Sequence, residues 1–423
     1  MFRTILSLLQ TPDLRKKALI VFLLLVVFRI MATIPLPDVD KGQLQAFLSS
    51  NQILGLFNIF TGGAFKNISI ALLGISPFIT ASIIMQLLTM IFPSLKESLY
   101  EGTEKERAKF MQYSRLLTVP LAALQGYGFL NLLSRQGVII IASPLDLIKD
   151  LIIIVASSVF LMWIGELITE QKLGNGTSLI IFSGIVIDFP REILQTVLTV
   201  DPSRVPNMIA FFVVALLMMI GVVFISRGER RIPVSYAKQV RGTKIYGGAS
   251  TYLPLKINQA GVIPIIFALA FLMFPQMISQ FLAGSQNQWL LKISVLFQNF
   301  NQGSWVYLLC YFGLVFLFTY FYTTVTFDPE TIAENLQKRG GFIPGYRPGK
   351  TTAQYLTNTS SKITFFGAVF LGIIAILPIL MQQFTGITAF AISGTSLLIM
   401  VSVAIETMDT IEAQLIMREY EIS

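Results

Sequence analysis

Ten apolar stretches, each near the length of a bilayer-crossing helix, limit what this chain can become more than any other feature. They lie near 18–36, 71–92, 114–133, 147–168, 178–198, 206–226, 258–282, 305–327, 362–382 and 387–406. A helix crosses the hydrocarbon layer with about 20 apolar residues. The runs are continuous rather than alternating, which excludes a barrel. Only 13% of the 423 residues are charged, against about 25% in soluble domains. The expectation is an all-α polytopic membrane protein. The first run follows Arg15-Lys16-Lys17 and leads into a polar stretch from Pro37, with no small-residue cleavage site. It reads as a retained helix. The fifth run is interrupted by Asp188, Pro190, Arg191 and Glu192, which suggests a short helix over 178–188 and an interfacial piece.

Basic residues set the orientation. With the N-terminus inside, 23 of the 31 Lys and Arg fall on inner segments and seven on outer loops, with Arg29 inside the first run. That bias predicts an N-in, C-in protein. The net charge of +8 therefore reflects topology first. Nucleic-acid binding would need a basic folded domain, and the sequence has none.

Absences exclude several chemistries. There is no histidine, and the single Cys310 lies inside an apolar run. Histidine-ligated zinc, haem and copper, Ser-His catalysis and a disulfide framework are all removed. No metal or other cofactor is expected. An aspartyl intramembrane protease needs two acids meeting at mid-membrane, whereas Asp188, Glu166 and Glu406 fall near the ends of runs. Arg29 is the clearest charge inside a run, and it can snorkel or pair with an acid.

The entry to the second run is unusual. Residues 56–65 form a short amphipathic piece, broken by Gly62-Gly63. It either lies on the outer surface or folds back into the protein, and the second requires shielding from lipid. Beyond it, Ile75 and Ile79 share one helix face, while Thr80 and Gln86 point polar groups elsewhere.

Two inner loops are too long and basic for simple connectors. The first, 226–257, carries Arg230, Arg231, Arg241 and Lys244, and its alternation around 230–238 and 251–255 predicts a β-hairpin. The second, 327–362, should start a short helix at Asp328-Pro329-Glu330 with Asp as cap. Two such loops on one side suit a docking platform for an acidic or ribonucleoprotein partner. The second loop ends in Gly349-Lys350-Thr351, which looks like a phosphate-binding loop. That motif needs a glycine where Pro344 stands, and a core strand before it. Pro344 and Pro348 remove amides that would face a phosphate. The loop is better read as a rigid finger presenting Arg347 and Lys350, with no direct nucleotide binding.

An ordered set of motifs then carries a resemblance over nearly the whole chain. It includes Phe60-Thr61-Gly62-Gly63-Ala64, the stretch 74–88, Leu161-Met162-Trp163-Ile164-Gly165-Glu166 and Gly174-Asn175-Gly176. It continues with Arg230-Arg231-Ile232, Leu253-Pro254-Leu255-Lys256, Ala260-Gly261-Val262-Ile263-Pro264, Ile343-Pro344-Gly345-Tyr346-Arg347-Pro348-Gly349 and Gly394-Thr395-Ser396-Leu397-Leu398-Ile399. The chain resembles the SecY family, the central subunits of protein-translocation channels.

The resemblance implies ten helices in two pseudo-symmetric halves, 1–200 and 201–423, around a central pore. It implies a plug at 57–66, formed by Phe57, Asn58, Ile59, Phe60, Thr61, Gly62, Gly63, Ala64 and Phe65, which favours the fold-back reading. It implies an apolar pore ring of Ile75, Ile79, Ile181, Ile266 and Ile399. It places a lateral gate between 75–92 and 258–282, with Thr80, Gln86 and Asn258 as polar contacts. The activity implied is non-enzymatic: passage of unfolded secretory chains and lateral release of apolar segments into lipid. Implied partners are SecE- and SecG-like small subunits, a SecA-like motor ATPase, the ribosome, signal peptides and nascent chains, and membrane lipids. The implied location is the bacterial cytoplasmic membrane, with a plastid thylakoid as the alternative. Family members often carry a basic pair at Thr243-Lys244; only Lys244 is basic here, with Arg241 nearby. The competing class is a secondary transporter with inverted repeats, which would need a mid-membrane solute site on discontinuous helices.

Overall fold

The structure is a computed structural model that describes residues 10–37, 39, 58, 61–92, 94–95, 103–140, 143–199, 205–236, 239–241, 244–246, 250–282, 288–298, 304–385 and 389–422. A helix occupies most of every expected apolar run, although the second and seventh start later than expected, at Ser76 and Ile263. In chain order these are α1 (Pro12–Thr33), α2 (Ser76–Ile91), α3 (Glu104–Arg135), α4 (Pro144–Glu170), α5 (Gly176–Thr199), α6 (Val205–Arg227) and α7 (Ile263–Leu282). A short α8 (Gln288–Gln298) precedes α9 (Trp305–Thr326), α10 (Pro329–Lys338), α11 (Lys350–Thr385) and α12 (Ala389–Ile422). Six described helices are long and apolar enough to cross a membrane, and shorter apolar helical segments occupy Ser76–Thr89, Gly176–Pro190 and Ile263–Leu272.

Several helices run past their apolar cores. The third starts at a capping box, in which the Thr103 amide donates to Glu106 Oε2 at 2.6 Å. The helix α10 starts where Asp328 predicts it, with Oδ1 accepting from the amides of Glu330 and Thr331 at 3.0 and 3.3 Å. The fifth helix differs from expectation: α5 continues through Pro190 to Thr199. Proline forfeits one intrahelical bond, a loss that neighbouring helices allow a membrane helix to tolerate. Asp188 does not end it either, because its carboxylate meets Arg29 of α1 at 3.7 Å.

The helices pack as two neighbourhoods. Helices α1 to α5 contact one another, as do α6 to α12, and the contacts between the groups run through α5–α12 and α3–α7. Two further ties anchor the end of α12. Arg418 Nη2 donates to Asp13 Oδ2 at 2.5 Å, and the Gln414 amide donates to the Lys172 carbonyl.

The two basic loops fold into one small sheet. The strand β1 (Glu229–Tyr236) pairs antiparallel with β4 (Ser250–Lys256), in register from Glu229↔Lys256 to Ser235↔Ser250. This is the expected hairpin, and a smaller ladder, β2 (Gln239–Arg241) with β3 (Lys244–Tyr246), sits between its strands in sequence. The third strand comes from the other loop: β5 (Gly341–Phe342) pairs with Ser235 and Tyr236. The sheet order is therefore β4-β1-β5. Ile232, Val234, Leu255, Ile343 and Leu356 bury an apolar core beneath it.

Candidate functional site

The proposed ring residues come from four helices and meet in one apolar cluster. Ile75 caps α2 and Ile79 lies one turn further along it; Ile181 is on α5, Ile266 on α7 and Ile399 on α12. All five are buried members of the same cluster. Ile79, Ile181 and Ile266 also line a cavity of about 410 Å³ between the two groups of helices. Its walls include Phe78, Ser82 and Gln86 of α2, and Ile263 and Phe267 of α7. Arg115 of α3 and Glu166 of α4 stand at its polar side, joined Nε to Oε1 at 2.7 Å. That ion pair was not foreseen, because nothing in the sequence links positions on different helices.

The segment before α2 explains why that helix is only 16 residues long. The chain over 61–75 is wound into turns around one short 3-10 helix, Phe65–Asn67, rather than α-helix. Pro77 sits in the first turn of α2, where a proline costs no hydrogen bond. Thr61 to Phe65 are all buried, as expected of a fold-back and not of a helix lying on a surface. Gly62 and Gly63 have φ of 63° and 83°, a conformation open to glycine at little cost. Glycine is also required by space. A Cβ on Gly184 of α5 would lie 2.2 Å from the Gly62 backbone, and one on Gly63 would lie 2.7 Å from Asp188 Oδ2. The Arg29–Asp188 pair therefore presses directly on this turn. Phe57, Ile59 and Phe60 lie outside the described residues, and of Asn58 the structure shows its carbonyl accepting from the Gly63 amide at 2.8 Å.

The three gate positions separate. Thr80 is buried, and its hydroxyl donates to the Ser76 carbonyl of its own helix at 3.0 Å. Gln86 lines the 410 Å³ cavity, where its Oε1 has no hydrogen-bond partner. Asn258 instead lines a second, polar cavity on the α7 side, alongside Ile263 and Tyr322.

The finger is held against α11 and exposed at its tip. Tyr346 stacks on Tyr355 of α11 with ring centroids 4.1 Å apart, and Thr352 Oγ1 donates to the Arg347 carbonyl at 2.8 Å. Ile343 is buried beneath the sheet, while Arg347 and Lys350 are exposed. Arg230 and Arg231 are exposed on β1. Arg231 donates to Glu229 at 2.7 Å and lies over the Tyr252 ring at 4.8 Å. That carboxylate hydrogen bond raises the guanidinium pKa further. Arg241 and Lys244 face each other across the β2–β3 ladder; their side chains lie outside the described residues.

These features define a multi-pass helical membrane protein in which two groups of helices meet at an apolar waist. A family model described as SecY matches residues 69–408, and the chain belongs to the SecY family. The protein translocase subunit SecY of Corynebacterium glutamicum is 42% identical, with 97% of each chain covered. That of Thermus thermophilus is also 42% identical, covering 100% of this chain and 97% of the relative. Among solved structures, a protein-conducting channel superposes with a TM-score of 0.63 at 18% identity, over 93% of this chain and 91% of that one. A canine Sec61 in a ribosome–channel complex gives 0.60 at 17%, over 93% and 91%. These two likenesses establish the fold.

Proposed function

We propose that this chain is the protein-conducting channel of a translocase, passing unfolded polypeptides across a membrane and releasing apolar segments sideways into lipid. The observation that carries this is the waist: five branched apolar side chains from four helices, buried in one cluster, beside a glycine turn packed into the protein. Such a ring resists wetting and offers no hydrogen bond or charge, so it seals without selecting a sequence. It can deform around an extended chain, and a run of about 20 apolar residues then partitions into lipid. No bond is made or broken, so no catalytic group is required. A solute transporter is disfavoured because the waist presents no polar site to bind a solute.

In this reading residues 1–200 and 201–423 are the two halves, 57–66 is the plug, and the 410 Å³ cavity is the cytosolic mouth of the gate between α2 and α7. Gln86 and Thr80 line one side of that gate; Asn258 acts from the loop leading into the other. The test is a photocrosslinker placed at Ile79, Ile181 or Ile266. A secretory chain stalled in transit should crosslink at all three; crosslinks confined to the protein's outer surface would rule the pore out.

The basic platform is the partner surface, with Arg347, Lys350, Arg230, Arg231, Arg241 and Lys244 as contacts. It supports N-in, C-in insertion in a bacterial cytoplasmic membrane, with a motor ATPase or ribosome as partner and small SecE- and SecG-like subunits alongside. Arg347→Glu should cut motor-driven export severalfold without shifting the melting temperature, since no described contact holds its head group. Normal export by that variant in reconstituted vesicles would defeat the assignment.

A further inference from the structure

The second cavity carries more unpaired polar groups than the one gate contact, Asn258, that the channel reading uses. It encloses about 220 Å³ at the end of the helix bundle nearest the small sheet, walled by the loop into α7, the end of α9 and α12. That volume holds roughly seven waters at about 30 Å³ each. Two of its charges cancel, because Lys256 Nζ donates to Asp409 Oδ2 at 2.8 Å. Glu406 remains, with Oε2 buried and without a hydrogen-bond partner. Asn258 is nine-tenths buried, and its Nδ2 is committed to the Gly261 carbonyl at 3.1 Å. Its Oδ1 has no partner, and neither does either end of the Gln259 amide. Tyr322 adds an aromatic wall.

A buried carboxylate without a partner is costly, and so are buried amide groups left unpaired. The acceptors among them, Glu406 Oε2, Asn258 Oδ1 and Gln259 Oε1, are answered together by a cation with several donors. A divalent metal fits poorly, since calcium takes about 6–8 oxygen ligands and only one carboxylate here is uncommitted. A guanidinium brings five N–H donors in a planar fork and stacks on aromatic rings. We propose that this cavity binds a guanidinium group, with Glu406 as its counter-ion, Asn258 and Gln259 as acceptors and Tyr322 as the stacking wall. The group can belong to a small free molecule or to an arginine side chain of a partner protein. The inference does not rest on the channel reading, because the cavity lies wholly among α6 to α12 and can be tested on idle protein.

The experiment uses the full-length chain in lipid nanodiscs, titrated with argininamide and, separately, with a blocked Ala-Arg-Ala peptide at constant ionic strength. Thermal shift and calorimetry are the readouts. Saturable binding is expected in the wild type, weakened about tenfold or more by Glu406→Gln, the loss expected for one hydrogen bond to a charged group. Asn258→Ala should weaken it severalfold. Without ligand, Glu406→Gln should keep or raise the melting temperature, because it removes a charge from a partly buried site with no hydrogen bond to its Oε2; that separates a lost site from a lost fold. Binding of argininamide points to a free ligand, and binding of the peptide alone to a partner's arginine. No saturable binding of either probe overturns the proposal, as does equal affinity in Glu406→Gln and wild type. Should Glu406→Gln not assemble, undiminished binding by Asn258→Ala overturns it instead.

Discussion

Along one edge of the seam between the helix groups, α5 lies directly against α12. Phe189 shares an apolar cluster with Leu397 and Phe211, and Gly174 lets Thr407 approach to 3.4 Å from where a Cβ would stand. The Gln414 amide ties α12 to the Lys172 carbonyl just before α5. Along the other edge, α2 and α7 line the walls of the 410 Å³ cavity. Separating α5 from α12 would expose buried apolar surface at about 25 cal/mol per Å². On the α2–α7 side a cavity already interrupts the packing, although Ile79 and Ile266 beside it are buried. In the proposed channel reading, the packed α5–α12 edge holds while the α2–α7 edge parts.

That contrast can be broken in several ways. The largest effect is expected at the waist. Replacing Ile75 and Ile79 together with Ser should raise resting ion conductance by about tenfold or more, by wetting a constriction that now excludes water. Leu397→Ala, on the packed edge, should leave conductance unchanged; planar-bilayer recordings compare the two. Spin labels provide the next test. A chain engaged in the seam should move labels at Ser82 and Ile263 apart by about 10 Å, the width of one helix with its side chains. A Lys172–Ala413 pair should stay fixed, and equal movement of both pairs would abolish the distinction. In stability, Leu397→Ala should cost about 3 kcal/mol, as large-to-small core changes do. Ile263→Ala, at a half-buried cavity wall, should cost about 1 kcal/mol. The smallest effect is expected for Arg115→Ala. Its guanidinium is half exposed, and such pairs contribute below about 1 kcal/mol. Denaturant titrations rank these three.

What the sequence revealed followed from local physics. The ten helices were legible because a run of apolar residues has one stable fate in a bilayer. The cap at Asp328 and the hairpin at 230–255 were legible from neighbouring residues alone. The misreadings were all non-local. Asp188 and Pro190 look like a helix end until Arg29 is seen beside the carboxylate. The two-residue strand Gly341–Phe342 is invisible without β1 to pair with. The helix α8 falls between the apolar runs and is too short and mixed to stand out by hydropathy. The separation of Asn258 from Thr80 and Gln86 depends on how the loop into α7 turns at Gly261, which spacing does not encode.

The three-stranded sheet has a mechanical consequence. Its central strand leaves the end of α6, its neighbour β4 leads through a short loop over 257–262 into α7, and the Ile257 amide closes the ladder on the Gly228 carbonyl at 2.8 Å. The finger hangs from the far side through β5. In the proposed reading, a pull on Arg347 is borne by α11, which the finger enters and packs on, and by a strand ladder that leads toward α7. The sheet is thus a mechanical link between the exposed finger and the α2–α7 edge.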